Sequence, residues 1–340
     1  MERWLAGEGA ALDEVAATVR AWIPYAVDSP LYSRLAAGIA EDPEMLRVVA
    51  GVRAMPPMTL LLGAVQLLLR EDDALAAWYP RLAGEARPPD DAAYVAFRDF
   101  ALARRDEVEA ITATRRTQTN EVRRCAVLMP AVARAIAAQG WDGPVHAVDV
   151  GASAGLCLLL DRLAYRYGDV AVGDGPLTLD AELRGGLAAP RAVPELATRT
   201  GLDLEPVDLD DPAAAAWLEA LVWPEHVARL ERLRAAIALH RATPISMVAG
   251  DAVETLPRVA AALPEGPLVV WHSIAVYQLT EAQQDALDDA VEAVASTRPT
   301  VRVAFEPSDG GASDVRIGLR PRAATPVARA HHHGGWIAAV

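Results

Sequence analysis

Apolar residues recur at helical spacing through the first part of the chain and then change to short continuous runs. Leu12, Val15, Val19 and Ile23 form one helical stripe, and Leu60, Leu61, Val65, Leu68 and Leu69 form another. A third amphipathic stretch spans residues 91–111, with Val95, Phe100 and Leu102 on its apolar side. Pro24, Ser29-Pro30, Pro56-Pro57 and Arg87-Pro88-Pro89 separate these segments. No strand is expected before residue 144.

A turn at Gly140–Pro144 ends that region. The run VHAVDV predicts a buried strand, GASAG a turn, and LCLLLDRLAYRY a helix. A hairpin is expected at LTLDAEL, then a strand at TRTGLDL, and a helical stretch from Asp211 to Arg241 that Pro224 interrupts. ISMVAGDAVETLP reads as strand, turn and helix start, PLVVWHS as a strand, and TEAQQDALDDAVEAVAS as a helix capped by Thr280. VRVAFEPS, VRIGLRP and VARAHHHGGWIAAV are strand candidates with no helix between the last two, which implies an antiparallel finish. Strands alternating with helices predict an α/β fold. Its expected layout is a helical region at 1–116, serving as lid or acceptor pocket, and a doubly wound, mostly parallel sheet at 117–340.

Composition narrows the chemistry. All 32 basic residues are Arg, so lysine Schiff bases, P-loop lysines and Ser-Lys dyads are excluded. The net charge of −14 argues against a nucleic-acid partner, because such binders use cations to displace counterions. Cys125 and Cys157 lie in apolar text and read as buried thiols of a reducing compartment. The acidic N-terminus is unlike a signal peptide, and no apolar run is long enough to span a membrane. A cytoplasmic protein is therefore expected. The sequence leaves the oligomeric state open.

The loop Asp149-Val-Gly-Ala-Ser-Ala-Gly155 is the strongest candidate for chemistry. It resembles the first motif of class I S-adenosylmethionine-dependent methyltransferases, an acid followed by Gly-x-x-x-Gly. That resemblance implies a Rossmann-like fold and S-adenosylmethionine as cofactor. Its contacts would be Asp149, Gly151, Ala152, Ser153 and Gly155, with Asp203 at the ribose and Asp251-Ala252 near the adenine. Asp203 follows Asp149 by 54 positions, whereas about 20 is usual for such folds, so an insertion is expected at about 165–197. If LTLDAEL were the second strand, Asp180 or Glu182 would take the ribose role. GASAG also spells G-x-S-x-G, which offers a serine hydrolase with Ser153, Asp251 and His272 as an alternative. A dinucleotide site lacks its third glycine. A non-catalytic adenosyl-ligand binder and a purely structural turn complete the field.

The string RRTQTNEVRR, residues 115–124, opens an expected helix with the stripe Val122, Cys125, Met129, Val132 and Ile136. Placed at the sheet's carboxyl edge, Arg116, Gln118, Thr119 and Asn120 would contact a small acceptor, the arginines suiting an anion. His272 and Glu306, each ending a strand, are the candidate bases. His331-His332-His333 lacks ligand spacing for a metal, since neighbours on a strand alternate faces. Trp223-Pro-Glu225 reads as packing at a helix break.

The strings ATRRTQTNEV, VGASAGL, AELRG, GLDLEPVDL, ALVWPE and VAGDAVETLP, in that order, resemble the bacterial family called domain of unknown function 2332 over about residues 30–338. Membership implies similarity to the methyltransferase fold and no particular substrate.

Overall fold

The computed structural model describes residues 11–307, 313–318 and 325–340. The chain divides into two compact units, Met1–Thr119 with Asp211–Glu231, and Asn120–Asp210 with Arg232–Val340. The return of residues 211–231 to the helical unit was not expected.

Among its described residues, the first unit has helices and no strand. Proline opens the helices Pro30–Ile39, Pro43–Gly51, Pro57–Leu68 and Pro212–Ala220, where its missing N–H costs no hydrogen bond. Ser29, Asp42, Asp90 and Asp211 cap their helices through side-chain oxygens. The third amphipathic stretch breaks at Arg104 into the helices Asp91–Ala103 and Arg105–Thr114. Its buried stripe is Ala93, Phe97 and Ala101, and Val95 is 55% exposed. The expected stripe was out of phase because two of the inward positions are alanines, whose small side chains give little hydrophobic signal.

Side-chain chemistry explains why residues 211–231 belong here. Trp217 and Ala220 pack with Val52 and Leu60. Gln66 donates through Nε2 to the carbonyls of Ala220 and Val222, at 3.1 and 2.7 Å, and accepts from the Tyr32 hydroxyl. Glu225, from the Trp-Pro-Glu string, accepts from Ser29 Oγ at 2.5 Å and from the Leu31 amide at 2.8 Å. Its carboxylate therefore completes the N-terminus of the helix Pro30–Ile39 from almost two hundred positions away. Trp223 lies against Trp22 and Tyr32, with ring centroids 6.1 and 6.2 Å apart.

The second unit holds all the strands found among the described residues. They are β1 (Val145–Val150), β2 (Ala164–Tyr167), β3 (Val170–Val172), β4 (Thr178–Asp180), β5 (Glu182–Arg184) and β6 (Leu196–Asp203). Then come β7 (Ser246–Ala249), β8 (Leu268–Ser273), β9 (Thr300–Pro307), β10 (Ser313–Gly318), β11 (Thr325–Ala330) and β12 (Trp336–Ala339). The main sheet runs β5-β12-β11-β10-β9-β8-β1-β6-β7, and β3-β2-β4 form a small second sheet. Strands β7, β6, β1, β8 and β9 are mutually parallel. β10, β11 and β12 continue antiparallel, as the absence of intervening helices implied. β5 then adds a parallel edge beside β12.

Val148, Val150, Leu202, Leu268 and Val270 share a core with Leu256, Leu287 and Val291, from the helices Ala252–Ala262 and Glu281–Ala295. The second of these helices starts with a capping box at Thr280 and Gln283. Alternation along β1 turns Asp149 to the opposite face.

Three local expectations are corrected. Residues 115–121 carry no helix; a short 3₁₀ turn, Val122–Arg124, leads into the helix Cys125–Ala138. The segment after the glycine loop is a 3₁₀ helix, Leu156–Arg162, that passes into β2. LTLDAEL is no hairpin, because β4 pairs with β2 and β5 pairs with β12. These extra strands, β2 to β5, occupy residues 164–184, between β1 and β6. The first ten residues of the acidic N-terminus lie outside the described residues. No helix among the described residues is long and apolar enough to cross a membrane.

Glu225→Ala should lower stability by about 2–3 kcal/mol, because it strands a hydroxyl and an amide that lose their acceptor. Glu225→Gln, which keeps an acceptor oxygen, should lose less. Urea unfolding of both variants checks this, and equal losses would contradict the capping role.

Candidate functional site

The glycine loop sits at the carboxyl end of β1, between β6 and β8. The chain leaves β1 towards β6 on one side and later returns to β8 on the other, so this is a topological switch point, where open α/β sheets form ligand crevices. Gly151 and Gly155 have φ of +73° and +70°, and Ser153 has φ of +52°. Ile274, just after β8, has φ of +54°. Non-glycine residues held in this region store strain, and here they mark the two loops that flank the crevice.

Every amide of the loop is engaged inside the protein. Gly151 and Ala152 donate to the Leu202 carbonyl at 2.8 and 3.1 Å. Ser153 N donates to Asp203 Oδ2 at 2.8 Å, and Ala154 N to Asn120 Oδ1 at 3.1 Å. Gly155 N donates to the Ala152 carbonyl at 2.7 Å. A pyrophosphate cradle needs such amides free and aimed at the ligand. An oxyanion hole in a nucleophile elbow needs the amide after the serine, which here is Ala154.

Acceptors, by contrast, are in surplus. Asp203 takes one amide on each oxygen, from Ser153 and from Glu205 at 2.9 Å, so each oxygen keeps a free lone-pair direction. Asp251, one strand over, caps its own helix by accepting from Val253 N at 2.8 Å, and is otherwise exposed. Ala252 is the first residue of that helix and is half-buried. Asp180 and Glu182 stand elsewhere, in the small sheet and on the β5 edge, where they pair with Arg166 and Arg184. Asp203 is the acid beside the loop.

Asn120 belongs to this site. Its Nδ2 donates to Ser153 Oγ at 3.0 Å while its Oδ1 holds Ala154, so the side chain clamps the loop with both ends. Arg116, Gln118 and Thr119 belong to the helical unit. The Arg116 carbonyl there accepts from the Trp217 indole at 2.8 Å.

Glycines hold this region together sterically. A Cβ at Gly151 would lie 2.3 Å from the Ala275 Cβ, and one at Gly201 would lie 2.5 Å from Met247 sulfur and 2.9 Å from the Ala152 Cβ. Substituting Gly151 would therefore strike protein before ligand.

His272 and Glu306 meet, though not as free bases. His272 Nδ1 donates to Glu306 Oε1 at 2.5 Å, and its Nε2 accepts from Arg302 Nε at 3.0 Å. Burial pushes His272 down against the pull of Glu306; an Nε2 that accepts from Arg302 carries no proton, so the ring is neutral in this arrangement. Burial also pushes Glu306 up, but His272 and the Ala275 and Val276 amides outweigh it and hold the carboxylate below its usual range. Glu306 thereby anchors the backbone after β8. Arg302 continues to Asp288. Sequence reasoning missed Arg302, although a cation between two valines on a strand demands a buried partner.

His240 was also missed. Its Nε2 is buried with no hydrogen-bond partner among the described residues, and it would lie 3.5 Å from a Cβ at Gly155. Its place in the last turn of the helix Val227–Arg241 reads as an ordinary dipole cation. The three adjacent histidines follow β11 in a turn, where their rings touch at centroid distances of 4.2–5.8 Å. The alternation expected of a strand does not apply to them. Both cysteines are free thiols, Cys125 buried and Cys157 half-buried.

Asp149 lies directly under the loop, in register with Trp271. Burial pushes its carboxyl up to about 8, with the Trp271 indole and the Arg124 guanidinium pulling the other way. Between about pH 4 and pH 8 the folded state therefore holds a proton that the unfolded state has released, and this group's contribution to stability falls as pH rises. Asp149→Asn copies the neutral form. Its melting temperature relative to wild type should climb steadily from pH 5 to pH 8, and a constant difference across thermal melts would contradict the protonated carboxyl.

No curated protein matches the chain. The family model described as "Uncharacterized protein conserved in bacteria (DUF2332)" matches residues 18–338, and the chain belongs to that family.

Proposed function

We propose that the glycine loop binds S-adenosylmethionine and that the protein is a methyltransferase for a small-molecule acceptor. The observation that carries this reading is the Asp203–Ser153 bond, which sets a Gly-x-x-x-Gly loop against an acid with free acceptor capacity on the adjacent parallel strand. Such a site suits a ligand that donates hydroxyls and carries positive charge, and it offers no free loop amide to a phosphate. An adenosyl sulfonium has a ribose diol and no phosphate. The parallel order β7-β6-β1-β8-β9 is similar to the core of class I methyltransferases. The antiparallel run β10–β12 departs from them.

In this reading Asp203 holds the ribose hydroxyls, Asp251 and Ala252 lie beside the adenine, and Gly151–Gly155 approach the rest of the ligand. The cofactor, when bound, supplies an electrophilic methyl group on a sulfonium. The protein positions the acceptor for in-line attack. Because His272 and Glu306 bind each other and the backbone, the fitting acceptor is one already nucleophilic at neutral pH, such as a carboxylate, thiolate or neutral amine. The hydrolase alternative has less support, since Asn120 holds both Ser153 Oγ and the Ala154 amide.

Titration calorimetry with S-adenosylmethionine, S-adenosylhomocysteine and NAD tests this. The two adenosyl ligands should bind and NAD should not. Asp203→Ala should weaken binding roughly 10- to 150-fold, the worth of a charge-assisted contact, while Asp180→Ala and Glu182→Ala should not. Binding of NAD alone, or esterase activity lost with Ser153→Ala, would overturn the proposal.

A further inference from the structure

A cavity of about 490 Å³ opens in the second unit, over β10, β11 and β12 and beneath the helix Cys125–Ala138. The helix turns Pro130, Ala133, Arg134 and Ala137 towards it, positions three and four apart and therefore on one stripe. Helix and sheet faces normally interdigitate at near-crystalline density. Here three of the four stripe residues, Pro130, Ala133 and Ala137, are small. Val315, Ile317 and Ile337 rise from the strands without filling the space, and the segment 187–192 forms a further wall. The volume is typical of small-molecule sites.

The polar groups at this cavity are of one sign. Arg134 and Arg191 line it, and among the described residues no acidic one does, in a protein whose net charge is −14. Both arginines are exposed, and neither makes a hydrogen bond or ion pair among the described residues. The neighbouring Arg184 and Arg166 differ, each being paired with a carboxylate. An apolar hollow with two unpaired guanidinium groups is complementary to a molecule with an apolar body and one anionic head.

We infer that this cavity is a binding site for a free amphiphilic carboxylate with an unbranched apolar chain. The chain lies against the alanine stripe and the valine and isoleucine side chains. The carboxylate is received by Arg134 and Arg191. β9 and β8 separate this site from β1, about 14 Å across the sheet, so the inference is independent of any ligand at the glycine loop.

The test is calorimetric titration of the full chain with dodecanoate below its micellar concentration, beside dodecanol and dodecyltrimethylammonium as neutral and cationic controls. Dodecanoate should bind one to one. The double variant Arg134→Gln/Arg191→Gln changes only exposed side chains and should weaken it roughly tenfold or more while leaving the melting temperature in place. Ala133→Trp, which fills the hollow, should abolish binding. Absence of dodecanoate binding would overturn the proposal. So would equal affinity for dodecanol, or an affinity unchanged in the double variant. Binding that survives both the filling variant and the arginine variant would mean an adventitious surface only, and would overturn it as well.

Discussion

The hydrogen bond from the Ser153 amide to Asp203 is the constraint on which the site depends. A loop that turns through positive φ at Gly151, Ser153 and Gly155 exposes its amides, and amides without partners are costly away from water. This protein supplies all the partners itself, from the Leu202 and Ala152 carbonyls, Asp203 and Asn120. The loop is therefore preorganised without a ligand, and its donors are closed to anions. What remains on offer is carboxylate acceptor capacity. The same short sequence, GASAG, could in another setting cradle phosphate or present a nucleophile. Its partners, rather than its spelling, decide which chemistry it can host.

A second set of buried polar groups lies one strand away. Asp288, Arg302, His272 and Glu306 form a chain from the helix Glu281–Ala295 to the backbone after β8. Each desolvated group finds a hydrogen-bond partner in the next, carboxylate to guanidinium to neutral imidazole to carboxylate, which is the condition under which buried ions are tolerated. The consequence for chemistry is a neutral histidine with both nitrogens occupied and a carboxylate committed to backbone amides. Ala275, held in this way, closes against Gly151 and fixes the distance between the two loops of the crevice.

Most of the parallel core was legible because its strands VHAVDV, SMVA, LVVWHS and VRVAFEP are short, largely apolar runs closed by turn residues; β6, with Arg199 and two threonines, is the exception. The helical unit was legible from its stripes and prolines, except where alanines carry the buried face, as at Ala93 and Ala101. Asp203 could be placed because it ends a strand. Asn120 could be singled out as the sole asparagine of a polar string, yet its role as a loop clamp could not, since nothing local says which backbone a side chain will meet. Glu225 was the hardest to read. Its partners Ser29 and Leu31 lie almost two hundred positions earlier, and the string around it looks like an ordinary helix break. Contacts of that kind are set by tertiary packing and leave no periodic trace.

The long interval between Asp149 and Asp203 has a structural meaning beyond its length. A helix usually crosses from the first strand of such a sheet to the second. Here a short 3₁₀ helix is followed by the small sheet β2–β4 and by β5, which runs to the far edge and pairs with β12. From β5 the chain returns through residues 185–195, passing over the antiparallel strands before it enters β6. That path gives the apolar cavity one of its walls and one of its two arginines. The departure that lengthens the loop-to-acid spacing is thus the same feature that encloses a second hollow. The basic hollow over β10–β12 owes one wall and Arg191 to that insertion, whereas the acidic edge at the glycine loop comes from Asp203 and Asp251, which lie outside it.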